Sequence, residues 1–342
     1  MMRSQIAALV VPVQPFPGET KGSGTDPLSP IAGKSIYSWI VDAALAASVR
    51  RIGIVASSPS VAARSELASR SDDAFVEFIT PMHDVTETLM FAVERLGSEL
   101  TLSDSAHILV LPAEAPQIEG DEIRALVDRH ISSGAAATLL APEANATGSA
   151  NDEPVIVRDV AGRIVSISDA SETAGILCIK ASLLIPALNR TVAPRWAGGA
   201  PLAEIAGVLT EVGHMVDVVE RSEPISIISS VASRAPIEME LRDRVVRHWI
   251  DRDVKMPDPR QVSIDATVTI GKGVQILPGT VLEGATVVGD GAIVGPNSHL
   301  IDATVGSRSH VPHAVVREAD VPPLSKVQPF SVLIAGSGTQ RR

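Results

Sequence analysis

The sequence predicts two units: an α/β domain built on a mostly parallel sheet, and after it a short left-handed parallel β-helix. Three observations carry this reading. Over residues 1–225, short apolar runs alternate with stretches of helical periodicity, which is the spacing of βαβ units. From Ile264 an apolar residue recurs every six positions, at Ile264, Ile270, Ile276, Leu282, Val288, Val294 and Leu300. After one five-residue step it resumes at Val305 and Val311, then more loosely at Val316, Val321, Val327 and Leu333. A period of six fits neither helix nor ordinary strand; in hexapeptide repeats, three hexads close one coil and stack their apolar positions inward. Finally, hydrophobic residues make up 45% of the chain but aromatics only 3%, so the core is built from Ala, Val, Ile and Leu, which suits parallel sheets and β-helices alike.

Taken in order, strands are expected at "AALVVPV", "RIGIVAS", "FVEFIT", "HILVLPA", "AATLLAP", "PVIVRD", "IVSIS" and "GILCIK". Helices are expected over 36–48, 85–96, 119–133 and 201–212. Residues 237–253 read as a charged amphipathic helix joining the two units, with Ile237, Leu241, Val245 and Trp249 forming one apolar stripe and its Arg and His residues a solvated face. About twelve hexads give roughly four coils. The predicted division is 1–228 for the α/β domain, 229–258 for the linker and its helix, 259–335 for the β-helix, and 336–342 for a disordered tail.

Composition excludes several classes. The net charge is −11 with no basic block, so nucleic-acid binding through phosphate neutralisation is not expected. Cys178 is the only cysteine, which rules out an intramolecular disulfide and a thiolate zinc cluster. Its surroundings, "GILCIKASLL", read as a buried strand and make it a core thiol. The N-terminal apolar run is too short for a membrane span and lacks a small-residue cleavage site, so no membrane partner and a cytoplasmic location are expected.

An α/β domain, a charged helix and a hexapeptide β-helix, in that order, resemble the bacterial bifunctional N-acetylglucosamine-1-phosphate uridylyltransferase/glucosamine-1-phosphate acetyltransferase family. The likeness is best from Glu238 to Val305, through "RDRVVRHWIDRDVKMPDPRQVSIDATVTIGKGVQILPGTVLEGATVVGDGAIVGPNSHLIDATV", and is weaker but colinear before it. The resemblance implies a nucleotidyltransferase-like (Rossmann-like) sheet, nucleoside triphosphate and sugar-1-phosphate as substrates, a Mg²⁺ cofactor and a homotrimer.

The same resemblance locates candidate site residues and shows where the pattern is broken. The family opens with L-A-A-G-x-G-T-R-M, a loop whose glycines let backbone N–H groups approach phosphates. Here the loop is "QPFPGETKGSG". Gly18, Thr20 and Lys21 fall on the pattern as nucleotide-binding candidates, with Glu19 where the second glycine belongs. Pro15 and Pro17 offer no N–H donor. This reads as a damaged phosphate cradle, the alternative being a different cradle formed by "GETKGSG". In the family's P-K-V-L-x-x-x-x-G-x-P-M, the Lys contacts phosphates; Asp26 stands in that place, and Gly33 keeps the turn. Of the uracil-reading Q-x-x-x-x-G-T-x-H-A, only Thr86 is retained in "TPMHDVTETLM". The metal-binding Asp of G-D-x-P-L corresponds to Glu114, a candidate Mg²⁺ ligand, and the Asn of G-V-N-D-R to Ala232. Of the sugar-binding segments N-T-G and G-E-Y, the glycines Gly175 and Gly199 remain.

In the family, the acetyl-CoA site and catalytic His lie on later coils of a longer β-helix, between neighbouring subunits. Here "VQPFSVLIAGSG" resembles the family's V-x-P-F-A-x-L-R-P-G, and the expectation is that the CoA-binding coils are absent and acetyl transfer does not occur. His299, His310 and His313 have no metal-ligand spacing and read as surface residues of the hexads. Three functions compete: a sugar-1-phosphate nucleotidyltransferase homologue with weak or lost catalysis, a non-catalytic trimeric scaffold or regulatory subunit, and a nucleotide-binding protein of altered base or sugar choice. Phosphoryl transfer depends on positioning and charge stabilisation, so the altered loop, Asp26 and Ala232 favour lost over active catalysis.

Overall fold

The computed structural model describes residues 6–12, 29–56, 67, 74–82, 85–97, 105–142, 155–158, 164–168, 175–191, 202–222, 225–335 and 337–341. The chain divides into two compact units, Met1–Ser29 with Ser35–Arg234, and Pro30–Lys34 with Ala235–Arg342.

The first unit is a mixed α/β fold. Strands β1 (Ile6–Val11), β2 (Arg51–Val55), β3 (Phe75–Ile79), β4 (His107–Pro112), β5 (Ala137–Pro142), β6 (Ile176–Lys180) and β7 (Val216–Arg221) form one sheet in the order β7-β5-β6-β4-β1-β2-β3. All neighbours are parallel except β6, which runs antiparallel between β4 and β5. The central β1, "IAALVV", is buried at every position, the signature of a strand covered on both faces. Helices α1 (Ile36–Ala46), α2 (Val85–Leu96), α3 (Gly120–Ser133), α4 (Ala181–Leu188) and α5 (Leu202–Glu211) accompany these strands. The start of α3 is fixed by a capping box between Glu119 and Glu122, and its end by Gly134 in the left-handed region.

Three elements differ from the sequence expectation. The run "GILCIKASLL" is not one strand: it turns at Lys180 and continues as α4. Periodicity cannot divide a short, uniformly apolar stretch between strand and helix. Strand β7, "VDVVER", escapes notice because an edge strand alternates buried and wet residues over a short span. The pair Val155–Arg158 and Ile164–Ser168 forms a separate antiparallel ribbon outside the main sheet.

Helix α6 (Val231–Ile250) runs from the last residues of the first unit into the second. It begins six residues before the expected start, with Pro236 inside the helix. Ile237, Leu241, Val245 and Val246 are buried. Its charges are not all solvated. Arg242 donates to Ser263 Oγ at 2.7 Å and Glu238 Oε1 at 2.8 Å, with Asp265 3.7 Å away, fastening the helix to the first coil.

The second unit is the β-helix. Its short strands stack in three parallel sheets, beginning at Ser263–Ile264, Thr269–Ile270 and Gln275–Ile276. Every hexad position from Ile264 to Val327 is buried. A second inward position lies two residues earlier, at Val262, Val268, Val274, Thr280, Thr286, Ala292, Ser298, Ala303, Ser309 and Ala314, all buried. The hydroxyls there are satisfied by carbonyls: Thr280 Oγ1 donates to Leu277 O at 2.6 Å, and Ser298 Oγ to Val311 O at 2.7 Å. Pro30–Lys34 joins this unit from far upstream, with Ala266 N donating to Ala32 O at 2.9 Å. The tail, expected to be disordered, pairs instead: Ser337–Arg341 lies antiparallel to Ser331–Ile334 and covers that strand's open edge.

The coil corners turn through left-handed residues. Early corners use Gly273 and Gly291; later ones in the same series use Arg308 and Leu324, with φ of 57° and 60°. Leu324 is 75% exposed, so its side chain contributes little packing in return for the backbone cost. Leu324→Gly is therefore expected to stabilise the coil by about 0.5–1 kcal/mol, the left-handed penalty less the extra unfolded-state freedom of glycine. The free energy of amide opening at Leu324, whose N–H is bonded to Ser307 O, measures it.

Candidate functional site

The sheet's direction decides which candidates can meet. Six of its seven strands point the same way, and open α/β sheets place ligands at the carboxyl ends of such strands. Glu114 lies two residues beyond the end of β4, and Ala113 N donates to Val11 O at 2.9 Å, binding the ends of β4 and β1 together. Gly175 precedes β6, whose antiparallel course brings its amino end to this edge: Leu177 pairs with Val110. Thr86 is the second residue of α2, which follows the carboxyl end of β3. Glu114, Gly175 and Thr86 thus share one edge. Gly18, Thr20, Lys21 and Gly199 lie outside the described residues, as do Glu19 and Asp26.

The local structure around Glu114 is well tied. Glu114 is 4% exposed, and its carbonyl accepts a bond from Ile228 N at 2.9 Å. Gln117, equally buried, donates through Nε2 to Ser226 O at 2.6 Å. These bonds bring segment 225–229, which enters α6, against the turn after β4. The two stretches that resemblance marks as halves of a metal site, 113–117 and 230–234, are therefore neighbours along this hydrogen-bonded path. At the second stretch, Ser233 Oγ accepts from Ser229 N and Ser230 N, both at 2.9 Å, closing the turn into α6 where a metal-binding Asn would stand.

Of these two stretches only Glu114 offers a carboxylate. Among the described residues no three His, Cys, Asp or Glu side chains converge, and Ala232 supplies no ligand atom. A lone carboxylate is a donor set that would leave a Mg²⁺ ion mostly to water and substrate phosphates.

Sequence reading missed two contributors at this edge. Thr88 is fully buried and its Oγ1 accepts from Met82 N at 2.8 Å, tying Met82 to α2. Gln117 sits in "EAPQ", where only its side-chain bond to a distant segment shows its role. The other candidates behave as structural residues. Cys178 is fully buried in β6, and burial raises its thiol pKa, making a thiolate unfavourable. In the second unit, His299 Nε2 meets Glu283 Oε2 at 2.7 Å and His313 stacks on Phe330.

Comparison with known proteins agrees with this layout. A bacterial transferase hexapeptide (six repeats) model matches residues 267–302. The bifunctional protein GlmU of Caldanaerobacter subterraneus subsp. tengcongensis is 28% identical over 317 residues, 88% of this chain and 66% of that protein. GlmU of Streptomyces avermitilis is 33% identical over 245 residues, 67% of this chain and 50% of that protein. GlmU of Geobacillus sp. strain WCH70 is 28% identical over 320 residues, 89% of this chain and 67% of that protein. The chain spans about half to two thirds of the length of these relatives. The chain, an α/β sheet followed by hexapeptide coils, is thus similar to bifunctional GlmU proteins over two thirds to nine tenths of its length.

Proposed function

We propose that the first unit is a sugar-1-phosphate nucleotidyltransferase-type site whose chemistry is weakened or lost, and that it still admits a nucleoside triphosphate or sugar-1-phosphate at the carboxyl edge of its sheet. The observation that supports this most is the convergence of Glu114, Gly175 and Thr86 on that edge, with the Glu114 turn hydrogen-bonded to segment 225–229. Lost catalysis follows from the replacements. Asp26 and Glu19 add negative charge to the segments that resemblance assigns to phosphates, where a cation and a glycine belong. Two unit charges at ~4 Å interact by about 4 kcal/mol at an effective dielectric of ~20, before screening. About a third of that lowers affinity tenfold. Ala232 stands where the resemblance puts a metal ligand.

Isothermal calorimetry with UTP, with and without Mg²⁺, tests the binding. Weak binding is expected in the wild type, and Glu19→Gly with Asp26→Lys should tighten it at least tenfold. Low-micromolar binding by the wild type that the double change weakens would overturn the reading of a decayed site. A pyrophosphate-release assay over a panel of nucleoside triphosphates and sugar-1-phosphates should give turnover at or near background.

A second reading, a non-catalytic homotrimeric scaffold, is supported by the β-helix. Its core is complete through Val327, while Val287 and Val315 on its outer faces are about 40% exposed. Light scattering at three chain masses supports it; a dimer mass counts against it.

A further inference from the structure

A cluster of ionisable groups lies at the amino end of the parallel strands, opposite the candidate ligand edge. His107 opens β4, Thr138 is the second residue of β5, Lys180 ends β6 beside His107, and Asp217 is the second residue of β7. His130 comes down on them from the last turn of α3. Its Nε2 is 3.0 Å from His107 Nδ1 and its Nδ1 2.9 Å from Thr138 Oγ1, with the two rings at 90°. His130 is 1% exposed and Thr138 fully buried. The same helix grips the edge strand β7 at both ends, through Arg129 to Asp217 at 2.6 Å and Glu122 to Arg221 at 3.1 Å. In the sheet, among the described residues, β7 has a neighbour only in β5.

We propose that the His107–His130–Thr138 row is an acid-released latch, which ties α3 to the sheet while both imidazoles are neutral and frees the β5–β7 edge when they take up protons. Proton counting supports this. With both rings neutral, each contact in the row needs one hydrogen, and either tautomer direction supplies it. A first added proton makes His130 a cation that donates both ways. It is then buried next to its own helix's Arg129 and near Lys180 of β6, with Asp217 of β7 already engaged by Arg129. A second proton sets N–H against N–H across the 3.0 Å contact. Helix α1 meets α3 through Arg124, which donates to Ala46 O, and contributes no charge to the row among the bonds described.

The sign follows from the same surroundings. Burial, then His107 and Lys180, lower the pKa of His130 from 6.5 to about 4, while Asp217 opposes; burial and Lys180 lower that of His107 as well. An imidazole whose folded pKa is depressed lends its full stability above the unfolded pKa and loses it as pH falls from 6.5 toward 4. For His130 alone, going from pH 7.5 to 5.5 should raise the opening constant about tenfold.

Hydrogen exchange on the whole chain, corrected for intrinsic rates, tests the latch at those two pH values. Amides of residues 137–141 and of Val216–Arg221 should lose about tenfold in protection, while Ile6–Val11 and Arg51–Val55 hold theirs. In His130→Gln, whose amide bridges without titrating, the edge should lose the tenfold step that His130 contributes and keep only the response of His107. The proposal is overturned if the wild-type edge is insensitive to pH, if all four strands loosen equally, or if His130→Gln keeps the full pH response. Should that variant not fold, imidazole titration by NMR in the wild type decides: a His130 pKa near 6.5 overturns the latch, and one well below supports it.

Discussion

Leu300→Ala is expected to destabilise the β-helix by about 2–5 kcal/mol, the range for emptying a close-packed site. Leu300 is fully buried and sits mid-column in one sheet: Ile264 pairs with Leu282, Leu282 with Leu300, and Leu300 with Val316. Truncating it removes contacts to the coils on both sides, and the ladder of parallel strands above and below resists collapse into the void. The proper control is Val287→Ala. Val287 lies on the outer face at 41% exposure, where a similar truncation should cost within about 0.5 kcal/mol. Exchange of the amides of Val281 and His299, which bond to Ser298 and Ala314 carbonyls, reads both changes. Equal costs for the two substitutions would refute inward stacking of the six-residue register.

Gly306→Ala should cost about 1–3 kcal/mol, an overpacking penalty rather than a cavity. Gly306 N donates to Val321 O at 2.8 Å, which holds the glycine hard against the next coil. A Cβ there would lie 2.7 Å from both Pro322 C and Pro323 Cα, atoms of a doubly proline-stiffened backbone that cannot rotate aside. Gly273→Ala provides the contrast. Gly273 has φ of +67° but nothing within 4 Å of its would-be Cβ, so only the left-handed penalty of roughly 1 kcal/mol applies. A Gly306→Ala variant no less stable than Gly273→Ala would mean that the coil spacing at Pro322–Pro323 is looser than described.

The two halves of the candidate site were unequally legible. The turn after β4 and the helix start at Thr86 could be placed from sequence, because both follow strands whose apolar runs are plain. Which strands face the same way could not. The antiparallel course of β6 brings Gly175 to the carboxyl edge, and nothing in "GILCIK" distinguishes that course from a parallel one. Gln117 was invisible for a related reason: its bond to Ser226 O spans 109 residues, and only the folded chain brings the two together. The His107–His130 pair likewise joins a strand start to a helix end, neither of which carries a motif.

The β-helix shows the division most clearly. The sequence alone determined its existence and its register, because one large apolar residue per hexad must point inward on every side of the coil. It did not determine what fills the remaining interior. Thr280, Thr286, Ser298 and Ser309 are polar yet buried, because each lies two residues before a hexad position and so shares its inward face. Their hydroxyls are tolerated there only because carbonyls of the coil accept them, as Ser309 Oγ bonds to Pro322 O at 2.8 Å. Nor did the sequence assign Pro30–Lys34 to this unit. That assignment rests on Gly33, whose φ of +86° and missing Cβ let the chain lie against Asp265. Periodicity reports which residues prefer to be buried. Which distant segment buries them is set by the packing of coils on chain, a contact between residues more than 200 positions apart that no local pattern encodes.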